Sequence, residues 1–209
     1  MQSLKFWTAG FSLLAFLIVV APAKADLHFW RINEVFSNAA GNVQFIEMRE
    51  AFGQNGQDKL ATSGAFAHTF DTNAINPAYI YPNDLSSTAT ANKFFLMATS
   101  DFDALPNSPT PDYIIQNNFF FVTGDTLNFA NGVDTFTFTN GQLPLDNTSS
   151  MNRVGTSGNN FNTGLNSPTN FAGITGSVVA PEPSGLFLAA MASVAFLALS
   201  RRAKKVIAL

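Results

Sequence analysis

Glu34 and Glu47 are the side chains whose type and spacing come nearest to a catalytic pair. They lie on two β-forming runs separated by a turn, so a hairpin would set them opposite one another. Two carboxylates flanking a scissile bond are the chemistry of glycoside hydrolysis. A structural role competes with that reading and is the expected one: accepting backbone hydrogen bonds, or pairing with Arg49 or Arg153. The two histidines, His28 and His68, sit in strand-like runs without a second histidine or a carboxylate at ligand spacing, and read as structural. Asp101, Asp103 and Asp112 fall in a proline-rich stretch and carry oxygens suited to Ca²⁺. They lack the alternate spacing, the glycine and the closing glutamate of an EF-hand, so a solvated acidic loop with no metal and no cofactor is expected. No G-x-S-x-G, phosphate-binding glycine loop or H-E-x-x-H occurs. The chain has no cysteine, which excludes disulfides, thiol nucleophiles and thiolate metal sites. The expectation is a protein that is not an enzyme, with a secreted carbohydrate-active hydrolase at Glu34 and Glu47 as the alternative.

The elements that must position these residues are short and β-rich. His28 to Phe36 and Val43 to Glu50 flank a Ser-Asn-Ala-Ala-Gly-Asn turn and predict a hairpin. Ala61 to Phe70, Lys93 to Thr99, Tyr113 to Val122 and Ser150 to Val154 predict further strands, and the prolines make 101–112 a loop. Thr126 to Phe129 and Val133 to Thr139 flank Asn131-Gly132, which supplies the positive φ of a type I′ turn between strands that are apolar on one face. Residues 71–92 read as irregular, and 155–164 as linker. No long amphipathic helix is present, so the fold class is all-β, a sandwich. Seventeen of the 22 phenylalanines lie between the two ends and must furnish its core.

Both ends are of a different kind. Met1 to Ala25 carries Lys5, an apolar stretch and the small residues Ala23 and Ala25 at A-x-A spacing, the pattern of a secretory signal peptide cut after Ala25. That route implies the Sec translocon and signal peptidase as partners. Near the other end, Pro181-Glu182-Pro183 precedes an apolar run and then Arg201, Arg202, Lys204 and Lys205. The prolines favour an extended backbone that a processing enzyme can bind. Residues 184–200 make a transmembrane helix of roughly 25 Å, at the short end of what spans a bilayer. The basic cluster stays cytoplasmic by the positive-inside rule, leaving the triplet at the outer face. Between the ends, residues 26–180 hold five basic and thirteen acidic side chains, a net of about −8 that the whole-chain value of −3 conceals. Such a body argues against nucleic acid and against anionic lipid as partners.

The order of triplet, apolar run and basic cluster is similar to the PEP-CTERM sorting signal, the bacterial tail recognised by an exosortase. The resemblance covers about 25 residues and implies a transient single-pass inner-membrane protein that is cut near the triplet and reaches the cell surface or extracellular matrix. A plain anchor would explain the apolar run and the arginines but not the triplet.

The body carries a second resemblance. Ile32-Asn33-Glu34-Val35, a glycine turn, and Gln44-Phe45-Ile46-Glu47-Met48 resemble the opening of a lamin-tail domain. Gly124-Asp125-Thr126-Leu127 with Asn131-Gly132-Val133-Asp134 resembles its later strand pair. Ser150-Met151-Asn152-Arg153 and Asn166-Ser167-Pro168-Thr169-Asn170 resemble its closing arginine and Pro-Gly-x-Asn signature. Gln44 stands where an acidic residue is usual, Met48-Arg49 replaces a Leu-Tyr-like pair, and the closing motif lacks its Pro-Gly. The resemblance implies an immunoglobulin-like β-sandwich over 26–172, followed by a linker at 173–180 and the sorting signal at 181–205. The functional expectation is a structural or adhesive envelope or biofilm-matrix protein, touching exopolysaccharide through Trp30, Tyr79 and Tyr81. A permanently membrane-anchored binding module is the other alternative.

Overall fold

The computed structural model describes residues 28–61, 69–75 and 77–181. Ala23 and Ala25 of the expected signal-cleavage site, His68, Glu182, Pro183, the apolar run and Arg201, Arg202, Lys204 and Lys205 lie outside them. Among the described residues no helix is long and apolar enough to cross a membrane.

The described residues form ten strands in two sheets. One is six-stranded, in the order β10 (Phe161–Leu165), β9 (Ser149–Arg153), β1 (Trp30–Ser37), β2 (Gln44–Glu50), β5 (Phe94–Thr99), β6 (Tyr113–Ile115). The other runs β4 (Tyr79–Ile80), β3 (Thr69–Asp71), β7 (Gly124–Phe129), β8 (Asp134–Thr139). Among the described strands only β5 and β6 pair in parallel. The all-β expectation holds, as do the first hairpin and the β7–β8 hairpin. In the latter Asn131 and Gly132 take φ of 54° and 95°, and Val133 donates its N–H to the Ala130 carbonyl.

Alternation along the strands explains what each sheet face buries. On β2 and β5, Ile46, Met48, Phe95 and Met97 point between the sheets, where they meet Phe70, Leu127, Phe129, Phe136 and Phe138. Phe45, Leu96 and Ala98 point the other way and join Phe36, Val43, Phe102, Val178 and Ala180 in a second, smaller cluster. The six-stranded sheet is thus buried on both faces. Its outer face is covered by the chain from Asn166 to Ala180, which lies across the strands as a strap.

Several segments differ from expectation. Residues 173–180 are not a free linker, because Val178 and Ala180 are buried and the Ala180 N–H donates to the Asn147 carbonyl. Residues 155–164 are not wholly linker, because β10 adds to the sheet edge and Phe161 packs on Phe136 at 3.9 Å between ring centroids. Ser100–Asp103 forms a short helix, α1, within the expected loop. Thr99 caps it by accepting the Phe102 N–H, and Phe102 fills the outer cluster. Of 113–122 only Tyr113–Ile115 is strand; Phe119 and Phe120 reach the core from a loop. Trp30 and Tyr81 are buried in the core, where Trp30 packs edge-on against Phe95, so neither is free to stack on a sugar.

Candidate functional site

A β-bulge sets up the site. The β1–β2 register runs Ile32 against Met48 and then Glu34 against Glu47, so Asn33 is the extra residue. Before it, Trp30 and Ile32 face the core; after it, Val35 does, and Glu34 and Phe36 turn to the outer face. The bulge therefore rotates Glu34 out of the aromatic core and beside Glu47. The backbone groups it frees are satisfied by side chains, one from the other sheet and one from the neighbouring strand β9. Asp134 Oδ2 accepts the Ile32 N–H at 2.8 Å, and Arg153 Nε donates to the Ile32 carbonyl at 2.5 Å. Arg153 also pairs with Asp134 at 2.6 Å and lies over the Phe161 ring, so it is committed to Asp134 rather than to either glutamate. Burial pushes the Asp134 carboxyl up and outweighs the Arg153 charge that pulls it down. Arg49 does not pair with the glutamates either; its guanidinium sits 5.9 Å from the Phe94 ring centroid.

Glu34 and Glu47 are 1% and 2% exposed, and their oxygens hold the strap. Glu34 Oε1 accepts the Ser150 hydroxyl at 2.6 Å and the Ser167 N–H at 2.9 Å; its Oε2 accepts the Ser167 hydroxyl at 3.2 Å. Glu47 Oε1 accepts the Asn33 amide at 2.6 Å, and its Oε2 accepts the Thr169 N–H at 2.7 Å. Two residues further on, the Phe171 N–H donates to Asp112 Oδ2 at 2.9 Å, an oxygen that also accepts the Leu96 N–H. Ser167, Thr169 and Phe171 thus step over β1, β2 and the β5–β6 pair, each N–H meeting a carboxylate beneath: Glu34 on β1, Glu47 on β2 and Asp112 just before β6. Two residues of extended chain advance about 6.6 Å against a strand spacing of about 4.8 Å, so an oblique strap reaches one strand per pair.

The return leg is held by amides. Asn166 donates to the carbonyls of Thr148 and Val178 and accepts the Val178 N–H, while Asn170 donates to the Thr110 carbonyl and accepts the Ile174 N–H. Beyond Ala180, Pro181 is exposed and borders an open groove of about 490 Å³ between Asn38, Asn42, Asp101 and Leu105.

Desolvation raises the carboxyls of Glu34 and Asp112, and it raises Glu47 to about 8, with the Glu34 charge adding to the burial. For Glu47 the hydrogen bonds oppose the shift, since both oxygens accept N–H donors. A carboxyl with so high a pKa could protonate a leaving group, but a glycosidic bond would have to displace the strap to reach it. The arrangement the structure shows is an anchor.

The other candidates stay apart. Asp101 accepts the Asn42 amide at 2.7 Å from its place on α1, whereas Asp112 faces Leu96 and Phe171. Among the described residues no group of three or more His, Cys, Asp or Glu side chains could hold a metal. His28 is exposed in the turn before β1. Gln44 is buried, donating to the Phe120 carbonyl at 2.9 Å and accepting the Phe120 N–H at 3.4 Å, a two-way bond that a carboxylate could not make. Sequence reasoning missed Asp112 as an anchor and Asp134 as the partner of Arg153. Neither has a local signal, because their partners are 59 and 19 residues away. No family model, curated protein or solved structure matches the chain.

Proposed function

We propose that this is an exported bacterial envelope or biofilm-matrix protein whose tail is a PEP-CTERM signal processed by an exosortase, and whose body is a structural or adhesive module without catalytic activity. The observation that carries the proposal is how the strap reaches the triplet. Ala180, 2% exposed and bonded to Asn147, is the last anchored residue before the triplet, and Pro181 is already at the surface. A cut at Pro181-Glu182-Pro183 would therefore sever the tail while leaving the strap and its buried carboxylates untouched.

The body is read as a lamin-tail-like, immunoglobulin-type sandwich. What supports this is that the motifs of that resemblance meet one another: the Ile-Asn-Glu bulge, the Glu47 strand, Ser150 to Arg153 and the Ser-Pro-Thr-Asn segment share one hydrogen-bond network. Among the aromatics suggested for exopolysaccharide, only Tyr79 remains partly accessible.

The test is the intact mass of the protein recovered from the envelope and medium of its native host. The expected mass lacks residues 1–25 and everything beyond the triplet region, with any excess identifying a surface acceptor. Retention of residues 184–209 would overturn the sorting proposal and make the protein a permanently anchored module.

A further inference from the structure

Four strand edges bound the two sheets, and they are protected unequally. An exposed edge offers unpaired N–H and C=O groups to any extended chain, and proteins blunt such edges with short strands, charge, proline or cover. Strand β4 has two residues, and β6 has three and follows Pro109 and Pro111. On β8, Asn159 accepts the Thr137 N–H at 3.1 Å and donates to the Thr137 carbonyl at 2.8 Å, while Gln142 accepts the Thr139 N–H. Side-chain amides there occupy the places a neighbouring strand would take.

Strand β10 has none of these devices. It reads Phe-Asn-Thr-Gly-Leu, without charge or proline, and Leu165 is 78% exposed. Its bonding phase is fixed by its ends: the Val154 N–H donates to the Asn160 carbonyl, and the Asn166 N–H donates to the Thr148 carbonyl. Even-numbered residues therefore turn their backbone groups toward β9, and Phe161, Thr163 and Leu165 turn theirs off the edge. Two such strands meeting antiparallel about a twofold axis at Thr163 would match donor to acceptor throughout. Thr163 would face its own copy, and Leu165 would face the partner copy's Phe161. Those three side chains share one face of the strand, where Phe161 packs on the core and Thr163 lies beside Met151. The exposed leucine would then cover the rim of the other copy's core, and no like charges would meet.

We infer that β10 is a self-pairing edge, through which two copies of this chain join their six-stranded sheets into one continuous sheet. The inference does not depend on the sorting proposal. Pairing of identical surfaces about a twofold is the commonest closed assembly, and the register centred on Thr163 is the one that pairs all three outward-facing residues, Phe161, Thr163 and Leu165.

The chain lacks cysteine, so a single introduced thiol reports the register without background. Full-length protein in mild detergent carrying Thr163→Cys should form a disulfide-linked dimer on mild oxidation, because directly opposed residues lie about 5.5 Å apart between Cα atoms, within disulfide reach. Leu165→Cys should not, because the two copies of position 165 would be about 13 Å apart. Sedimentation equilibrium should show a dimer that Thr163→Lys weakens at least tenfold, with an unchanged circular dichroism spectrum verifying the fold. A monomer at every concentration, crosslinking at 165 but not 163, or a dimer indifferent to Thr163→Lys would each overturn the proposal.

Discussion

The inner face of the six-stranded sheet is sealed by aromatic rings from the second sheet, whereas its outer face is closed by one extended segment held on three carboxylates. Trp30, Phe95 and Tyr113 of the six-stranded sheet also meet one another and Tyr81, which follows β4, edge-on at 4.7 to 6.1 Å between centroids, contacts that need no partner of matched polarity. On the other side Glu34, Glu47 and Asp112 are buried because the strap covers them, and the strap lies there because they accept its N–H groups. The first covering is non-directional and tolerant of local change. The second fixes the strap residue by residue, and a missing acceptor leaves a buried donor unsatisfied. The difference teaches that this protein uses apolar burial for stability and polar complementarity to place one segment, the one leading to the triplet.

Four changes break or sharpen that contrast. Phe95→Ala should cost the most, about 3–5 kcal/mol, because it opens a cavity at the centre of the ring cluster. Urea denaturation should show a single transition shifted to lower concentration, with the strap lost only when the whole body unfolds. Glu34→Ala should cost about 2–3 kcal/mol by stranding the Ser150 hydroxyl and the Ser167 N–H. Its distinguishing mark is faster amide exchange at Ser167, Thr169 and Phe171 than in the inner strands; uniform acceleration throughout would erase the contrast between the faces.

The third concerns pH. A carboxyl raised by folding binds its proton more tightly in the native state, so its stabilising contribution is full below the unfolded value near 4.5 and is lost as pH rises through the folded value. For Glu47 the window runs from 4.5 to about 8, and Glu34 and Asp112 act in the same direction. Stability measured by denaturation should fall between about pH 5 and 8, and Glu47→Gln should flatten that slope while keeping an acceptor for Thr169. An unchanged slope would mean that Glu47 does not titrate there. The smallest effect is that of Val178→Ala, about 1–2 kcal/mol from methyl groups lost in the outer cluster. It should leave the inner core unaltered and quicken proteolysis near residue 178 under native conditions.

The local signals in the sequence were sufficient for the strands of both hairpins. Alternating Phe136 and Phe138 with Asn131-Gly132, or Phe45 to Met48 after a glycine turn, need only nearest neighbours to be read. The strap was not legible in this way. Residues 159–176 are poor in apolar side chains, and a composition argument gives them no means to offset the entropy of ordering. Their means are the carboxylates of Glu34, Glu47 and Asp112, which lie 133, 122 and 59 residues from the N–H groups they accept.

By itself, then, the sequence determined the absence of thiol chemistry, the acidic charge of the body and the all-β class, because each depends on composition or on short-range period. Only the tertiary structure decided the roles of the polar residues. Whether Glu34 and Glu47 flank a substrate or grip a backbone depends on a one-residue bulge at Asn33 and on which segment crosses above them. A carboxylate accepts whatever donor is brought within about 3 Å, and folding brought the strap.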